Sequence, residues 1–269
     1  MKKILIFAIV CLMILPAHVQ GQSSPSNDDF TVIDAYYLGR AVAATILGRY
    51  RPYTQNQEAT QYLNRICQTL VINSNYPSPY NGYTVMILDS SEINAFATPG
   101  GHVFITRGLL SQCTSEDMIA AVIAHELAHI MLRHAIFIIN ETAVERELSD
   151  IAGWAGATAA RHSPQAARAV NFSNSIGTVV DTLLRSGYSH SQEHEADLEA
   201  MLLLGNAGYN PGAIIEVLRV LQLIHANQRG GFSATHPPPI LRIAIVEGRR
   251  YTDPNTSQHR QTRFRGVRW

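Results

Sequence analysis

Two histidines and a glutamate in the segment "AVIAHELAHIMLRH" (121–134) have the types and spacing suited to metal-dependent hydrolysis. His125 and His129 are four residues apart, so on a helix their imidazoles lie on one face and can bind one metal ion. Glu126 is turned about 100° around the helix axis, near the metal but outside its coordination shell. There its carboxylate can accept a proton from an attacking water molecule. His134 is about half a turn out of phase with His125, and we expect it to be a surface or capping histidine.

A catalytic zinc ion needs a third protein ligand and an open position. The segment "SHSQEHEADLEA" (189–200) offers Glu193 and Asp197, which share one face of a predicted helix. One carboxylate can bind the metal while the other accepts a hydrogen bond from a ligand histidine. His194 and Glu195 are expected to face outward. Without the histidine motif, this acidic pair would indicate only a solvated helix face.

The sequence around the histidine motif is apolar enough to bury it. Apolar residues surround the motif on the predicted helix: Ile119, Val122, Ile123, Leu127, Ile130 and Met131. A buried polar side chain costs free energy unless it has a partner, so the motif needs a reason to lie in such a helix. A structural metal site and a hydrogen-bonded core pair remain the alternatives to a catalytic metal.

The order of the predicted elements indicates an α+β fold that is mainly helical. Periodic apolar residues predict helices over 30–50 and 56–75. A strand is predicted at 83–89. A Pro-Gly-Gly turn at 99–101 predicts a hairpin, so we expect a small antiparallel β unit.

The helix that carries the motif is expected to be long. Thr114 or Ser115 can cap its start. From Asp117 onward no Gly or Pro interrupts the chain before Gly153, so we expect this helix to run through residue 134. A zincin-type metallopeptidase domain built on this active-site helix is the predicted fold.

Four regions are predicted along the chain. Residues 1–21 have the form of a signal peptide, with a positive start and a twelve-residue apolar stretch. A flexible lead follows at 22–30, then a single metallopeptidase domain at 31–250. A basic, disordered tail is expected at 251–269. The signal peptide predicts export of the mature protein.

The charge of the chain is balanced but unevenly distributed. The 269 residues carry a formal net charge of zero, which gives no reason to expect nucleic acid as a partner. The C-terminal segment from Arg249 onward holds six arginines against one acid, Asp253. Such a segment can make peripheral contact with an anionic membrane surface.

Two cysteines remain once the predicted signal peptide is removed, Cys67 and Cys113. An even pair in an exported chain favours one disulfide. Two free, buried thiols are the alternative.

Several segments together resemble a known peptidase family. His-Glu-Leu-Ala-His followed by Glu193-x-x-x-Asp197 is similar to the gluzincin metallopeptidases, and more narrowly to peptidase family M48. Three further segments resemble parts of that family around its active site: "INAFATPGGHVFITRGLL" (93–110), "YSHSQEHEAD" (188–197) and "THPPPILRI" (235–243).

The resemblance implies a site for one zinc ion. Its ligands would be His125, His129 and Glu193. Glu126 would act as the catalytic base that polarises the attacking water. Asp197 would orient a ligand histidine, in the first place His125.

The resemblance also implies roles for residues around the metal. Asn94 and Ala95 would lie on an edge strand that pairs with an extended substrate. His236 would approach the zinc, where it could stabilise the oxyanion or occupy the open position and hold the enzyme latent. Arg242 would anchor the closing segment. His190 departs from the arginine of many relatives, which leaves one local salt bridge in doubt but not the metal site.

The function implied by the resemblance is that of a zinc metalloendopeptidase with polypeptide substrates. We expect a compact family member that works in the bacterial cell envelope and is exported to the periplasm. Association with the outer membrane is a further expectation. Its task would be quality control of misfolded or outer-membrane proteins.

Two other functions stay open. A chaperone-like envelope assembly factor with a latent protease site is the first, because His236 could close the metal site and 151–187 could form a binding surface. A protein with a purely structural zinc ion is the second.

Overall fold

The computed structural model describes most of the predicted domain: residues 32–76, 78–141, 177, 179–181, 183–184, 187–227, 236–251 and 257–269. The predicted signal peptide and flexible lead lie outside the described residues, as does most of the segment 151–187. No helix in the described ranges is long and apolar enough to cross a membrane.

Helices make up most of the described chain, which confirms a mainly helical α+β fold. The helices are α1 (Val32–Arg49), α2 (Gln57–Ile72), α3 (Arg107–Leu110), α4 (Glu116–Met131), α5 (His134–Glu141), α6 (His190–Asn206), α7 (Ala213–Asn227), α8 (Pro239–Glu247) and α9 (Ser257–Arg265). The strands are β1 (Thr84–Leu88), β2 (Ala95–Thr98) and β3 (His102–Thr106).

The three strands form a mixed sheet, so the expectation of an antiparallel unit was only partly right. Their order is β1-β3-β2. β2 and β3 form the predicted antiparallel hairpin, whereas β1 runs parallel to β3. The direction follows from the connections: the chain reverses into β2 and reverses again at Gly100 and Gly101, whose φ angles of 89° and 108° favour glycine. β3 therefore lies between its two neighbours and returns in the direction of β1.

Helix α4 lies at the centre of the molecule. The Ser115 side chain caps it by accepting a hydrogen bond from the Met118 backbone N–H. Because its apolar residues are not confined to one stripe, the helix can be buried on all sides. It packs against α2, α6, α7 and β2, and residues such as Ile119, Ile123 and Leu127 are fully buried. The motif therefore lies in the core.

Helix α4 ends earlier than the sequence predicts. It stops at Met131, and Arg133 has a φ of 59°, in the left-handed region. This conformation is uncommon for a residue other than glycine. A new helix, α5, starts at His134 and changes the direction of the chain. The expectation of one continuous helix through residue 134 was wrong.

The C-terminal tail is not disordered over residues 257–269. Helix α9 packs against the start of α4, where Arg263 Nε donates to Glu116 Oε2 at 3.0 Å. Arg260 Nε likewise donates to Asp117 Oδ2 at 3.0 Å. Two of the six arginines that suggested a solvated tail instead form ion pairs with acids in the first turn of α4. The packed part of the chain therefore extends beyond residue 250.

Both cysteines are free thiols in the structure, so the predicted disulfide is not formed. Cys67 lies in α2 and Cys113 precedes α4, and both are buried in the main core. Burial raises the pKa of each thiol to about 12. The alternative of two buried, unreactive thiols describes the structure.

Candidate metal centre

Helices α4 and α6 bring the three predicted ligands together. His125 Nε2 and His129 Nε2 lie 3.1 Å apart. Glu193 Oε1 lies 3.4 Å from His129 Nε2, and Glu193 Oε2 lies 3.6 Å from His125 Nε2. The start of α6 is fixed by a capping box between Ser189 and Gln192, which places Glu193 in the first helical turn facing α4.

The spacing of these donor atoms fits a tetrahedral metal ion. With metal–ligand distances of about 2.0–2.1 Å, the donors of such a site lie about 3.3 Å apart. The two histidine Nε2 atoms lie 3.1 Å apart, and each lies 3.4 or 3.6 Å from one of the two oxygens of the Glu193 carboxylate, which is close to that spacing. Two imidazoles and one carboxylate form a donor set typical of catalytic zinc.

His125 is held on its far side by a buried ion pair. Its Nδ1 lies 3.0 Å from Asp197 Oδ1. Arg242 donates to the same carboxylate twice, from Nη2 at 2.6 Å and from Nε at 2.8 Å. Burial opposes the ionisation of Asp197, but the Arg242 charge outweighs it and lowers the pKa of Asp197 to about 2. Asp197 therefore stays charged and can fix the imidazole of His125.

His236 lies beside the three predicted ligands. Its Nδ1 is 2.6 Å from Glu193 Oε1. Together with His125, His129 and Glu193 it forms a buried group whose ligand atoms all lie within 4.8 Å of one another. Burial opposes the ionisation of Glu193, but the charges of His236 and Arg242 outweigh it and hold the pKa of Glu193 well below its usual range.

Glu126 is buried next to the metal ligands. Within the described residues, neither of its carboxylate oxygens has a hydrogen-bond partner. Burial raises the pKa of Glu126 to about 7. A carboxylate with a pKa near neutrality can accept and release a proton at physiological pH.

A model of Peptidase family M48 matches residues 57–250, well over half of the chain. The chain belongs to peptidase family M48. This confirms the resemblance seen in the sequence motifs. Together with the names of the relatives described next, the family supports a metalloprotease.

Three proteins show the level of sequence identity between this chain and its relatives. The chain is 28% identical over 200 residues (74% of the chain, 40% of the relative) to "Beta-barrel assembly-enhancing protease" of Escherichia coli (strain K12). It is 33% identical over 156 residues (56% and 41%) to "Mitochondrial metalloendopeptidase OMA1" of Saccharomyces cerevisiae. The same-named protein of Schizosaccharomyces pombe is 28% identical over 191 residues (70% and 52%). The chain thus spans about half the length of these relatives or less.

Two further side chains contact His129, although the sequence did not predict that they belong to the site. His134 is buried, and its Nδ1 lies 2.9 Å from His129 Nδ1. The ring of Tyr188 stacks on His129 with centroids 3.8 Å apart and planes 14° apart. The expectation that His134 lies on the surface was wrong, because the break after α4 turns it back toward the site. The sequence does offer a signal for Tyr188, because this residue begins the segment 188–197 that carries Glu193.

Glu195 is exposed, as expected, and its carboxylate also contacts the buried His134. Its side chain is 57% exposed, but Oε2 lies 3.3 Å from His134 Nε2. The Ser191 hydroxyl donates to Glu195 Oε1 at 3.1 Å. The carboxylate therefore reaches the site from an exposed position.

Strand β2 lies at one edge of the sheet of the M48 peptidase. Asn94 O accepts a hydrogen bond from Thr106 N at 3.0 Å, so Asn94 is paired with β3. In an antiparallel pair, alternate residues face the partner strand. The backbone N–H and C=O of Ala95 are therefore directed away from β3. Ala95 is fully buried, so this outer edge is covered in the structure.

An apolar cavity of about 210 Å³ lies between the end of β2 and the metal site. Ala97 and Thr98 line it on the side of β2, and His129 and Tyr188 line it on the side of the ligands. Val32 lies on the cavity wall and is 55% exposed. A side chain next to a substrate's scissile bond could occupy this space.

Proposed function

We propose that this protein is a zinc-dependent endopeptidase of the bacterial cell envelope. The observation that carries the proposal is the close approach of the donor atoms of His125, His129 and Glu193 beside the buried carboxylate of Glu126. The reaction is the hydrolysis of peptide bonds.

Different residues of the chain have different roles in hydrolysis. Zinc, when held by His125, His129 and Glu193, supplies a Lewis acid that polarises the peptide carbonyl and makes water more acidic. Glu126 accepts a proton from the attacking water at a carboxylate oxygen. It then passes that proton to the leaving nitrogen, which completes the reaction. A buried site also keeps bulk water away from this proton transfer.

The substrates are polypeptides in an extended state. A substrate chain can bond to the backbone of Ala95 along the outer edge of β2 once the residues that cover this edge move away. The apolar cavity next to His129 favours a bulky apolar side chain at a neighbouring position. Unfolded proteins present such side chains, which supports misfolded or outer-membrane proteins as substrates. The name of the Escherichia coli relative agrees with this class of substrate.

The sequence supports the proposed location. Residues 1–21 predict export, and the periplasm is the compartment in which an exported bacterial protease meets unfolded envelope proteins. Association with the outer membrane would place the enzyme close to those substrates.

A second candidate function is a chaperone-like assembly factor with a latent protease site. Two observations favour it: His236 Nδ1 lies 2.6 Å from Glu193 Oε1, and the outer edge of β2 at Ala95 is buried. Both indicate a closed arrangement in which an extended substrate does not reach the ligands. In this function the protein binds unfolded chains and rarely cuts them.

The substitution Glu126→Gln separates the two functions. It keeps the shape of the side chain but removes the proton acceptor, so hydrolysis of an unfolded substrate should fall by about 10²- to 10⁴-fold. Zinc content is measured in the same samples. Glu247→Gln, an exposed glutamate on α8, is the matched control and should keep full activity.

The contradicting result is zinc-loaded Glu126→Gln that cleaves as fast as the wild type. If the variant is inactive in the assay but fully rescues a deletion strain, binding rather than cleavage is the function in the cell.

A further inference from the structure

His129 faces the proposed metal with one ring nitrogen and His134 with the other. Its Nε2 lies 3.1 Å from His125 Nε2 and 3.4 Å from Glu193 Oε1. On the opposite side of the ring, Nδ1 lies 2.9 Å from Nδ1 of His134. His134 Nε2 in turn lies 3.3 Å from Glu195 Oε2. A chain of three side chains therefore leads from the ligand cluster to the surface.

Metal binding allows only one placement of protons along this chain. A neutral imidazole has one N–H and one nitrogen with a free lone pair. If Nε2 of His129 gives its lone pair to a metal, the proton is on Nδ1, which must donate to His134 Nδ1. The proton of His134 is then on Nε2, from which it donates to the carboxylate of Glu195. Each donor meets an acceptor.

The opposite tautomer of His129 does not fit a metal site. It would carry its proton on Nε2, directed at the place where the ion binds, and Nδ1 would need a donor. A neutral His134 could donate from Nδ1 only if its own Nε2 became an acceptor, and that nitrogen faces the carboxylate of Glu195, which also only accepts. With a neutral His134, its contact with Glu195 therefore selects the metal-binding tautomer of His129.

We propose that His134 and Glu195 are positioning residues that fix His129 in its metal-binding tautomer and orientation. The proposal rests on the metal site of the proposed function. Conformation supports it: the left-handed Arg133 turns His134 toward His129, and the Ser191 hydroxyl holds Glu195 at 3.1 Å. Ligand histidines commonly donate their second N–H to a carboxylate, carbonyl or water. Here a second imidazole stands between the ligand and the carboxylate.

The two ligand histidines therefore have different hydrogen-bond partners on the side of the ring that faces away from the metal. His125 donates to Asp197, which is fully buried and paired with Arg242. His129 donates to an imidazole whose partner, Glu195, is 57% exposed. Because Glu195 lies near the surface, it can be replaced without opening the core. This makes the His129 support testable by substitution.

The experiment measures the zinc dissociation constant of purified protein by competition with a chromogenic chelator. His134→Leu removes the acceptor, and the dissociation constant should rise about 10- to 100-fold. His134→Asn keeps an acceptor atom near the position of Nδ1 and should recover part of the affinity. Glu195→Ala should weaken binding measurably. Glu247→Ala, an exposed glutamate of α8 paired with Arg219, is the control and should bind as the wild type does.

Two further readouts separate positioning from a general loss of structure. The melting temperature of the metal-free Glu195→Ala variant should equal that of the metal-free wild type, since this side chain is mostly exposed. The side-chain ¹⁵N shifts of His129 in the zinc-loaded wild type should place the proton on Nδ1. If His134→Leu does not fold, Glu195→Ala and the ¹⁵N shifts decide.

Wild-type zinc affinity in folded His134→Leu, or in Glu195→Ala when His134→Leu does not fold, overturns the proposal. So does a proton on Nε2 of His129 in the zinc-loaded protein. If the wild type itself does not bind zinc, the metal site of the proposed function is overturned. The positioning role of His134 and Glu195 is then overturned as well. The wild-type control thus shows which of the two has failed.

Discussion

Arg242 of α8 and Asp197 of α6 form a buried ion pair through two hydrogen bonds, of 2.6 and 2.8 Å, although 45 residues separate them in the chain. Arg242 Nη1 also lies 2.8 Å from Glu193 Oε2. One guanidinium therefore forms ion pairs with two carboxylates of the metal centre. It also ties the helix that follows His236 to the helix that carries Glu193.

Replacing Arg242 should destabilise the protein strongly. Arg242→Met leaves Asp197 and Glu193 buried without their cation, which costs about 3–5 kcal/mol in the free energy of unfolding. Urea unfolding of the metal-free protein measures this. Arg219→Met is the matched control, since its ion pair with Glu247 is exposed and is worth less than about 1 kcal/mol. Equal destabilisation by both substitutions would contradict the assigned role of Arg242.

The contact between α9 and α4 predicts that the C-terminal residues stabilise the domain. Glu116 is buried and accepts hydrogen bonds from Arg263 and from the Tyr62 hydroxyl. Arg263→Met should lower the free energy of unfolding by about 1–3 kcal/mol because a buried acceptor loses its charged donor. Arg265→Met, an exposed residue of the same helix, should have little effect. Thermal melting of the two variants tests this, and identical melting temperatures would refute the contact.

The buried thiols predict chemical inertness. With a pKa near 12, Cys67 and Cys113 are uncharged at pH 8, and only the thiolate is an effective nucleophile. Iodoacetamide should leave the native protein from residue 22 onward unmodified and add two groups after denaturation without reductant. Mass spectrometry counts the adducts. A protein that takes up adducts only after reduction would contain the disulfide that the structure lacks.

The cavity beside His129 predicts a preference for apolar side chains next to the scissile bond. Val32→Asp puts a charge on the cavity wall, where the native side chain is 55% exposed. Cleavage of peptides with a bulky apolar flank should fall several-fold, about the effect of 1 kcal/mol in binding, with little change in melting temperature. Ile72→Asp, which is 76% exposed and outside the cavity, is the control. Equal rates for both variants would show that the cavity does not bind substrate.

The central features of the metal site follow from local sequence patterns. His125, Glu126 and His129 lie on one helix, so the 3.6-residue period fixes their relative directions. Glu193 and Asp197 are related in the same way on α6. The apolar surroundings of the motif on α4 imply burial, and buried polar groups need partners. The pattern therefore predicts that the two helices meet at the site, and the family resemblance adds that Glu193 is the carboxylate that binds the metal.

Other features depend on contacts that no local pattern encodes. Arg133 adopts a left-handed conformation without being glycine, so the break that brings His134 to the site leaves no mark in the sequence. The parallel pairing of β1 with β3 depends on contacts between strands that are not adjacent in the sequence. The order of residues 257–269 depends on Glu116 and Asp117, which lie more than 140 residues earlier and bind Arg263 and Arg260. In each case, a partner distant in sequence or an unusual backbone angle decides the structure.

A zinc titration of the metal-free protein tests the central claim most directly. Hydrolysis of an unfolded polypeptide is followed while Zn²⁺ is added in sub-stoichiometric steps. We predict that activity rises in proportion to added zinc and saturates at one ion per chain, and that His129→Ala stays inactive throughout. Activity that does not depend on zinc, or that persists in His129→Ala, would contradict a metallopeptidase centre built by α4 and α6.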